Sequence, residues 1–385
     1  MNSSQTLGSL LRGLSLGLWL VLWLSLPASA RQVLMRVGVA VNSPSVTLGS
    51  STDARILDGQ GQPIGSLSAM TPARATRSGS TVQVGAANGS RLFIQPSSSD
   101  GLVFINRHWY RGLVELIPGD QGVVAINQVG LDDYVSSVIG SEMGHRFPTE
   151  ALRAQAVASR TYALFHRNLR LDRPYDLGVD EMWQVYKGVD AESNLTQAAA
   201  RDTSSQVVTY NGELINAVFH SSSGGHTEDV ANVWLEPLPY LKGVPDYDSN
   251  APVFSWTVPL SSQQLQQAAS GIGSITSVEV SQRSPFGRAM RVRIHGSQGQ
   301  REISAGDFRV RMGLKSTMFT IGGSSATTAS LAGGSAGFVV NGRGFGHGIG
   351  MSQWGAASLA QQGWSFQQIL GHYYQGTSLA VLDPQ

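Results

Sequence analysis

Between residues 33 and 126, apolar positions recur in short runs separated by clusters of Gly, Ser, Asn and Asp. Val33 to Val41 alternates, and Thr81–Val84, Arg91–Ile94, Leu102–Ile105 and Gly122–Ile126 follow it. Alternation between turn residues predicts strands, so 31–125 reads as an N-terminal β-rich region. Trp109, Tyr110 and Arg111 in this region suit either stacking on a sugar or packing within a sheet.

The period changes at Leu131. Leu131, Val135 and Val138 are spaced four and three apart, one stripe of a helix, and the next position on that stripe is Glu142. A carboxylate therefore stands on the face that should be buried. Burial disfavours the charged form, and an acid kept protonated near neutral pH can act as a general acid. The spacing alone leaves equally open that Glu142 ends the helix and reaches water. A second helix is predicted from Pro148-Thr149-Glu150, a proline and an acid at a helix start. Leu152, Ala156, Ser159 and Ala163 run down one of its faces, and its many alanines allow another backbone to approach closely. Arg160 lies one residue from that face and suits either a ligand or carboxylate contact or an ordinary surface arginine.

Further on, 192–203 reads as a helix. Gln206–Tyr210 and Leu214–Phe219 read as a hairpin about Asn211-Gly212. The second strand runs into a Ser/Gly loop, 220–226, flanked by His220 and His226 with Glu228 nearby. In 251–335, Ser261–Ser270 reads as a helix, Val278–Val280 and Met290–Ile294 as strands, and 322–335 as a flexible loop. Glycine occupies 342, 344, 346, 348 and 350. An extended chain would place these glycines on one face, open to close approach by another backbone or a glycan. Ser352 suits the cap of a helix through Ala360, and Ser365-Phe366-Gln367-Gln368 is a capping box for a last helix. The fold class is α+β, mostly β, with a short helical pair carrying the candidate acid and further helices at the C-terminus. Its divisions are 1–30, 31–125, a core at 126–250, a β-rich segment and candidate second domain at 251–335, and 336–385 completing the core.

Composition narrows the function. The 385 residues carry a formal net charge of +1, and only three lysines occur. With no Lys/Arg-rich run, no nucleic-acid partner is expected. Residues 1–30 resemble an export signal: Arg12, the apolar run Leu14–Leu26, then Ala28-Ser29-Ala30 as a cleavage site. The expected location is outside the cytoplasmic membrane, and an uncleaved N-terminal membrane anchor is the alternative. The chain has no cysteine, which is compatible with export.

Three chemistries compete on the residues. Glu142 supported by Arg160 ranks first. A metal site from His220, His226, Glu228 or His347 ranks second, since no H-E-x-x-H is present. A serine hydrolase using Ser221, Ser222 or Ser223 ranks third, since G-x-S-x-G is missing.

Four segments, in order, resemble the SpoIID/LytB family: INQVGLDDYVSSVIGSEMGHRFPTEALRAQAVASRTYAL (126–164), FHSSSGGHTEDVANVW (219–234), PYLKGVPDYD (239–248) and GRGFGHGIGMSQWGA (342–356). Together they span roughly residues 100–376. The resemblance implies a lytic transglycosylase of peptidoglycan glycan strands, or a non-enzymatic enhancer of a cell-wall amidase. It places the catalytic acid at Glu142. It implies that Arg160 positions substrate or acid, and that Ser223, His226, His347 and Gln353 contact substrate. It also links the family with sporulation. Some members carry a metal site built partly from cysteines; lacking these, the chain is expected to need no metal or other cofactor.

Overall fold

A computed structural model describes residues 33–144, 146–179, 183–234, 237–322 and 337–382. The export segment 1–30 and nearly all of the 322–335 loop lie outside the described residues. The architecture is α+β.

The N-terminal region forms two six-stranded sheets. In the first, Leu34–Ser43 pairs antiparallel with Val123–Gly130, followed across the sheet by Leu113–Pro118, Leu92–Pro96, Ala54–Leu57 and Pro63–Leu67. The second is ordered His108–Tyr110, Val103–Ile105, Ser45–Ser50, Ala73–Ser78, Thr81–Val84 and Ala87–Gly89. Alternate residues of both sheets are buried, among them Val37, Val46, Leu48, Ile56, Val82, Ile94 and Leu116. Trp109 packs at 5.2 Å on Phe104, and Tyr110 is buried at 5.3 Å from Tyr186. Arg111 is paired with Glu192 at 2.8 Å. Of the two readings of this triplet, the structure selects packing.

Val123–Gly130 runs directly into the helical layer. Helix α1 spans Leu131–Glu142, α2 Thr149–Asn168 and α3 Asn194–Asp202. Leu131, Val135 and Val138 are buried as the spacing predicts, as are Leu152, Ala156, Ser159 and Ala163. The helices share one hydrophobic core with the sheets. Ser193 begins α3 with a capping box. After the short helix α4, Val230–Val233, the chain builds a unit with its own apolar core around Leu265, Val292, Ile294, Phe308 and Val340. This unit holds helices α5, Ser262–Ala268, and α6, Ala305–Arg311, with two three-stranded sheets. Helices α7, Gln353–Gln361, and α8, Phe366–Tyr373, return to the first core. Ser352 caps α7 and Ser365 forms the capping box of α8, as expected.

Two local expectations need correction. The second hairpin strand is only Glu213–Leu214; Phe219–His220 instead pairs parallel with Met351–Ser352. Val218 turns its carbonyl to the Tyr374 hydroxyl and the Met351 amide, which takes it out of the hairpin. Nor is the glycine run extended beyond Arg343. Gly344, Gly346, Gly348 and Gly350 all have positive φ, between 69° and 116°, a region that L side chains rarely adopt.

Helix α1 lies so close to its neighbour that a Cβ on Gly140 would stand 1.8 Å from the Ala191 carbonyl oxygen. Gly140→Ala is expected to lower stability by about 1–3 kcal/mol, read as a reduced midpoint in thermal unfolding.

Candidate functional site

Glu142 is the last residue of α1 and is half-buried. Gly144, with φ +73°, turns the chain away, and its N–H donates back to the Ile139 carbonyl. One carboxylate oxygen of Glu142 accepts the Val185 N–H at 2.9 Å. The C-terminal end of a helix opposes a negative charge, while this amide favours it; the carboxyl therefore sits between opposing influences.

Two tyrosines lie near enough to feel the charge of the acid. Burial, and behind it the charge of Glu142, pushes the Tyr162 phenol up to about 12. Tyr134 is raised as well, by burial first and then by Tyr162 and Glu142. Both phenols therefore stay neutral at ordinary pH. Tyr134 donates to Gln184 at 3.0 Å, and Gln184 donates to the Ser159 carbonyl at 3.3 Å. These bonds fix the segment whose next amide, Val185, holds Glu142. Phe147, in the turn after α1, packs at 4.9 Å on Trp354 at the start of α7. Tyr162 lies 6.5 Å from Phe219, which pairs with Met351. Through these contacts the acid-bearing turn, the Ser/Gly loop and the start of α7 come together.

Arg160 is elsewhere, and of the contacts open to it the structure shows the one with a carboxylate. It is completely buried. Its Nε and Nη2 donate to Asp132 Oδ1 at 3.2 and 2.7 Å, and Nη2 also donates to the Ala200 carbonyl at 2.9 Å. Nη1 donates to Thr203 Oγ1 at 3.4 Å and the Gln206 carbonyl at 3.3 Å. Every guanidinium N–H is thus used within the protein. Asp132 stands at the opposite end of α1 from Glu142.

The Ser/Gly loop is held by two aspartates. Asp248 accepts from the Ser222 hydroxyl and from the Gly224 and Gly225 amides at 2.8 and 2.9 Å. Asp246 accepts from the Ser223 hydroxyl at 2.6 Å. Burial, then the neighbouring charge of Asp246, raises Asp248 above the usual carboxylate range. Ser222 and Ser223 are completely buried and give their protons to carboxylates, so neither is presented as a nucleophile. His226 lies flat on Phe286, with ring centroids 4.2 Å apart, and its Nδ1 donates to the Thr227 carbonyl at 2.7 Å.

Arg288, from the second unit, is buried against this loop. Its Nη2 donates to the Ser223 carbonyl at 2.6 Å, and a Cβ on Gly348 would stand 2.1 Å from the guanidinium. The close approach foreseen for the glycine run is therefore made by the protein itself. His347 Nδ1 accepts the Ile349 amide at 3.1 Å, so Nε2 carries the proton and donates to the Phe219 carbonyl at 2.9 Å. Its ring is 5.2 Å from Trp234 and 5.2 Å from His220. Burial drives His347 down to about 4 and His220 well below its ordinary value. Both ring nitrogens of His347 are used internally. Gln353 is buried at the first turn of α7 with its Nε2 unpartnered. Among the described residues, no three His, Asp or Glu side chains gather to hold a metal ion.

The sequence reading missed Tyr134, Tyr162, Gln184, Asp246, Asp248 and Arg288. Asp246 and Asp248 alternate in the segment PDYD, a visible signal; Arg288 gave none.

The profile of a family described as "Stage II sporulation protein" matches residues 119–210, which contain Glu142 and Arg160. A profile for a domain of unknown function (DUF8618) matches 240–350. Stage II sporulation protein D of Bacillus subtilis is 32% identical over 282 residues, 67% of this chain and 77% of that protein. The chain belongs to the stage II sporulation protein D family. An uncharacterized protein of Brachyspira hyodysenteriae is 31% identical over 295 residues, 73% of this chain and 76% of that protein. A Bacillus subtilis protein named "Amidase enhancer" is 31% identical over 291 residues, 64% of this chain and 40% of that longer relative. Within the family frame, Glu142 and its tyrosines lie inside the first matched segment, and Arg288 and His347 inside the second.

Two outcomes follow. Arg160→Ala would strip the buried partners of their cation and cost about 3–5 kcal/mol, seen as a lowered denaturation midpoint; a substrate-binding role would instead raise KM at near-normal stability. For His347, the folded state refuses a proton that the unfolded chain accepts, so its contribution is present above about pH 6.5 and is lost as pH falls toward about 4. Melting temperature should fall across that window, and a folded His347→Gln should flatten the fall.

Proposed function

We propose that this chain is an exported lytic transglycosylase of peptidoglycan, with Glu142 as its single acid–base group. A role in cell-wall remodelling is supported by the family and by the amidase-enhancer relative. The observation that carries the finer reading is the setting of Glu142: half-buried, at a helix C-terminus, with one oxygen fixed by a backbone amide and neutral phenols behind it.

In this reading Glu142, protonated, gives its proton to the glycosidic oxygen between N-acetylmuramic acid and N-acetylglucosamine. The C1–O bond breaks, and the N-acetylglucosamine hydroxyl leaves. The ionised carboxylate then takes the proton from the muramoyl C6 hydroxyl, whose oxygen attacks C1 and closes the 1,6-anhydro ring. Glu142 ends protonated, as it began. The nucleophile belongs to the substrate, so the second carboxylate that hydrolytic glycosidases use is not required. The buried Ser223 and His347 hold the loop and the glycine run in place, and Gln353 lies buried at the start of α7. Export by residues 1–30 would put the protein where its substrate is, outside the cytoplasmic membrane.

The match to a protein named "Amidase enhancer" favours one second reading: a non-enzymatic wall protein that stimulates a cell-wall amidase. One pair of assays separates the two. A folded Glu142→Gln is expected to bind glycan strands but to release anhydromuramoyl products about 10²–10⁴ times more slowly. Wild-type-level cleavage by that variant would remove Glu142 from the mechanism. Amidase stimulation by both proteins, without anhydromuramoyl products from either, would establish the second reading.

A further inference from the structure

The segment that carries Asp246 and Asp248 borders an open pocket of about 400 Å³ beside the C-terminal end of α7. Across it, the Ser358 hydroxyl donates to the Asn250 amide oxygen at 3.0 Å, which leaves the amide N–H groups of Asn250 to donate elsewhere. Ser249, Gln361 and Gln362 add exposed hydroxyl and amide groups. Tyr247 is 44% exposed. Its ring lies 5.9 Å from that of His372, which lies 6.0 Å from Trp364. His372 is fixed in this row by donating from Nε2 to the Pro245 carbonyl at 2.9 Å.

The pocket offers hydrogen bonds and a ring face rather than charge. Among the described residues that line it there is no Lys or Arg. Its carboxylate, Asp246, is already engaged. Oδ1 accepts from the Tyr373 hydroxyl at 2.7 Å and the Tyr247 amide at 2.8 Å, and Oδ2 accepts from the Ser223 hydroxyl at 2.6 Å. Asp246 thus belongs to the pocket and to the support of the Ser/Gly loop at once. The other end of α7 meets the acid-bearing turn, where Trp354 packs on Phe147. From Trp354 to Gln361 is about 10 Å along the helix axis, close to the length of a disaccharide.

We infer that this pocket holds an uncharged N-acetylhexosamine unit of the glycan strand, away from the bond that is cleaved. The apolar C–H face of the pyranose ring lies on Tyr247. The amides of Asn250, Gln361 and Gln362 bond its hydroxyl and acetamido groups. A carboxylate or phosphate would find no cation here to offset the cost of leaving water. This second attachment, which rests on the peptidoglycan reading above, means that long strands are held at two places and short ones at one.

Equilibrium binding by the full chain, measured by calorimetry in the Glu142→Gln background so that strands stay intact, tests this. The probes are long glycan strands freed of stem peptides, the muramoyl disaccharide prepared from them, and long oligomers of N-acetylglucosamine and of glucose. Tyr247→Ala removes an exposed side chain and leaves the backbone bond to Asp246 in place. It should weaken the binding of long strands about tenfold and leave the disaccharide unaffected. The loss should be the same at low and high salt, because no ionic contact is removed. Asn250→Ala should act in the same direction. Oligomers of N-acetylglucosamine should depend on Tyr247 as the strands do, and oligomers of glucose should not. Long strands bound as tightly by Tyr247→Ala as by the parent would overturn the assignment. So would an equal loss on the disaccharide, which would place Tyr247 at the cleaved bond, or an equal dependence for glucose oligomers. Failure of the parent to bind any glycan would sink the peptidoglycan reading, and this pocket with it.

Discussion

A single buried cation, Arg160, fixes the geometry on which the candidate site depends. A fully buried guanidinium is tolerable only when its charge is compensated and each N–H has an acceptor. Arg160 meets that condition by joining α2 to Asp132 on α1, to Ala200 and Thr203 at the end of α3, and to the Gln206 carbonyl on the following strand. That anchorage sets the start of α1. Ten residues on, or about 15 Å along a rigid helix, Glu142 emerges at the other end. Arg160 thus acts on Glu142 through the helix.

The opposite wall is organised by similar means. Asp246 and Asp248 absorb the hydroxyls and amides of the Ser/Gly loop, and Arg288 reaches in from the second unit to the Ser223 carbonyl. Glycine at 346 and 348 lets His220 and Arg288 approach where any Cβ would collide. The second unit is therefore wired into the loop facing the acid-bearing turn. Loss of that wiring would be felt in the loop although no residue of the unit needs to touch the reacting bond.

What the sequence revealed and what it hid divide along a physical line. Helix positions were legible because period and caps are local: Leu131, Val135 and Val138 share a stripe, and Ser365 with Gln368 closes a capping box. Glu142 was legible as a carboxylate on an apolar stripe. The glycine run misled because alternation is equally compatible with an extended strand and with repeated left-handed turns; only the contacts of Gly344 to Gly350 decide. The role of Arg160 stayed open between several readings because its partners lie 28 to 46 residues away, beyond any spacing rule. Arg288 was invisible for the same reason, 65 residues from the carbonyl it serves.

The central claim is that Glu142 drives an intramolecular attack, so that water takes no part in breaking the glycan. Digestion of purified glycan strands in water enriched in heavy oxygen, followed by mass spectrometry of the fragments, tests this most directly. The account predicts new muramoyl ends that are one water lighter than reducing ends and contain no heavy oxygen. Heavy oxygen at the new reducing ends would show hydrolysis and contradict it.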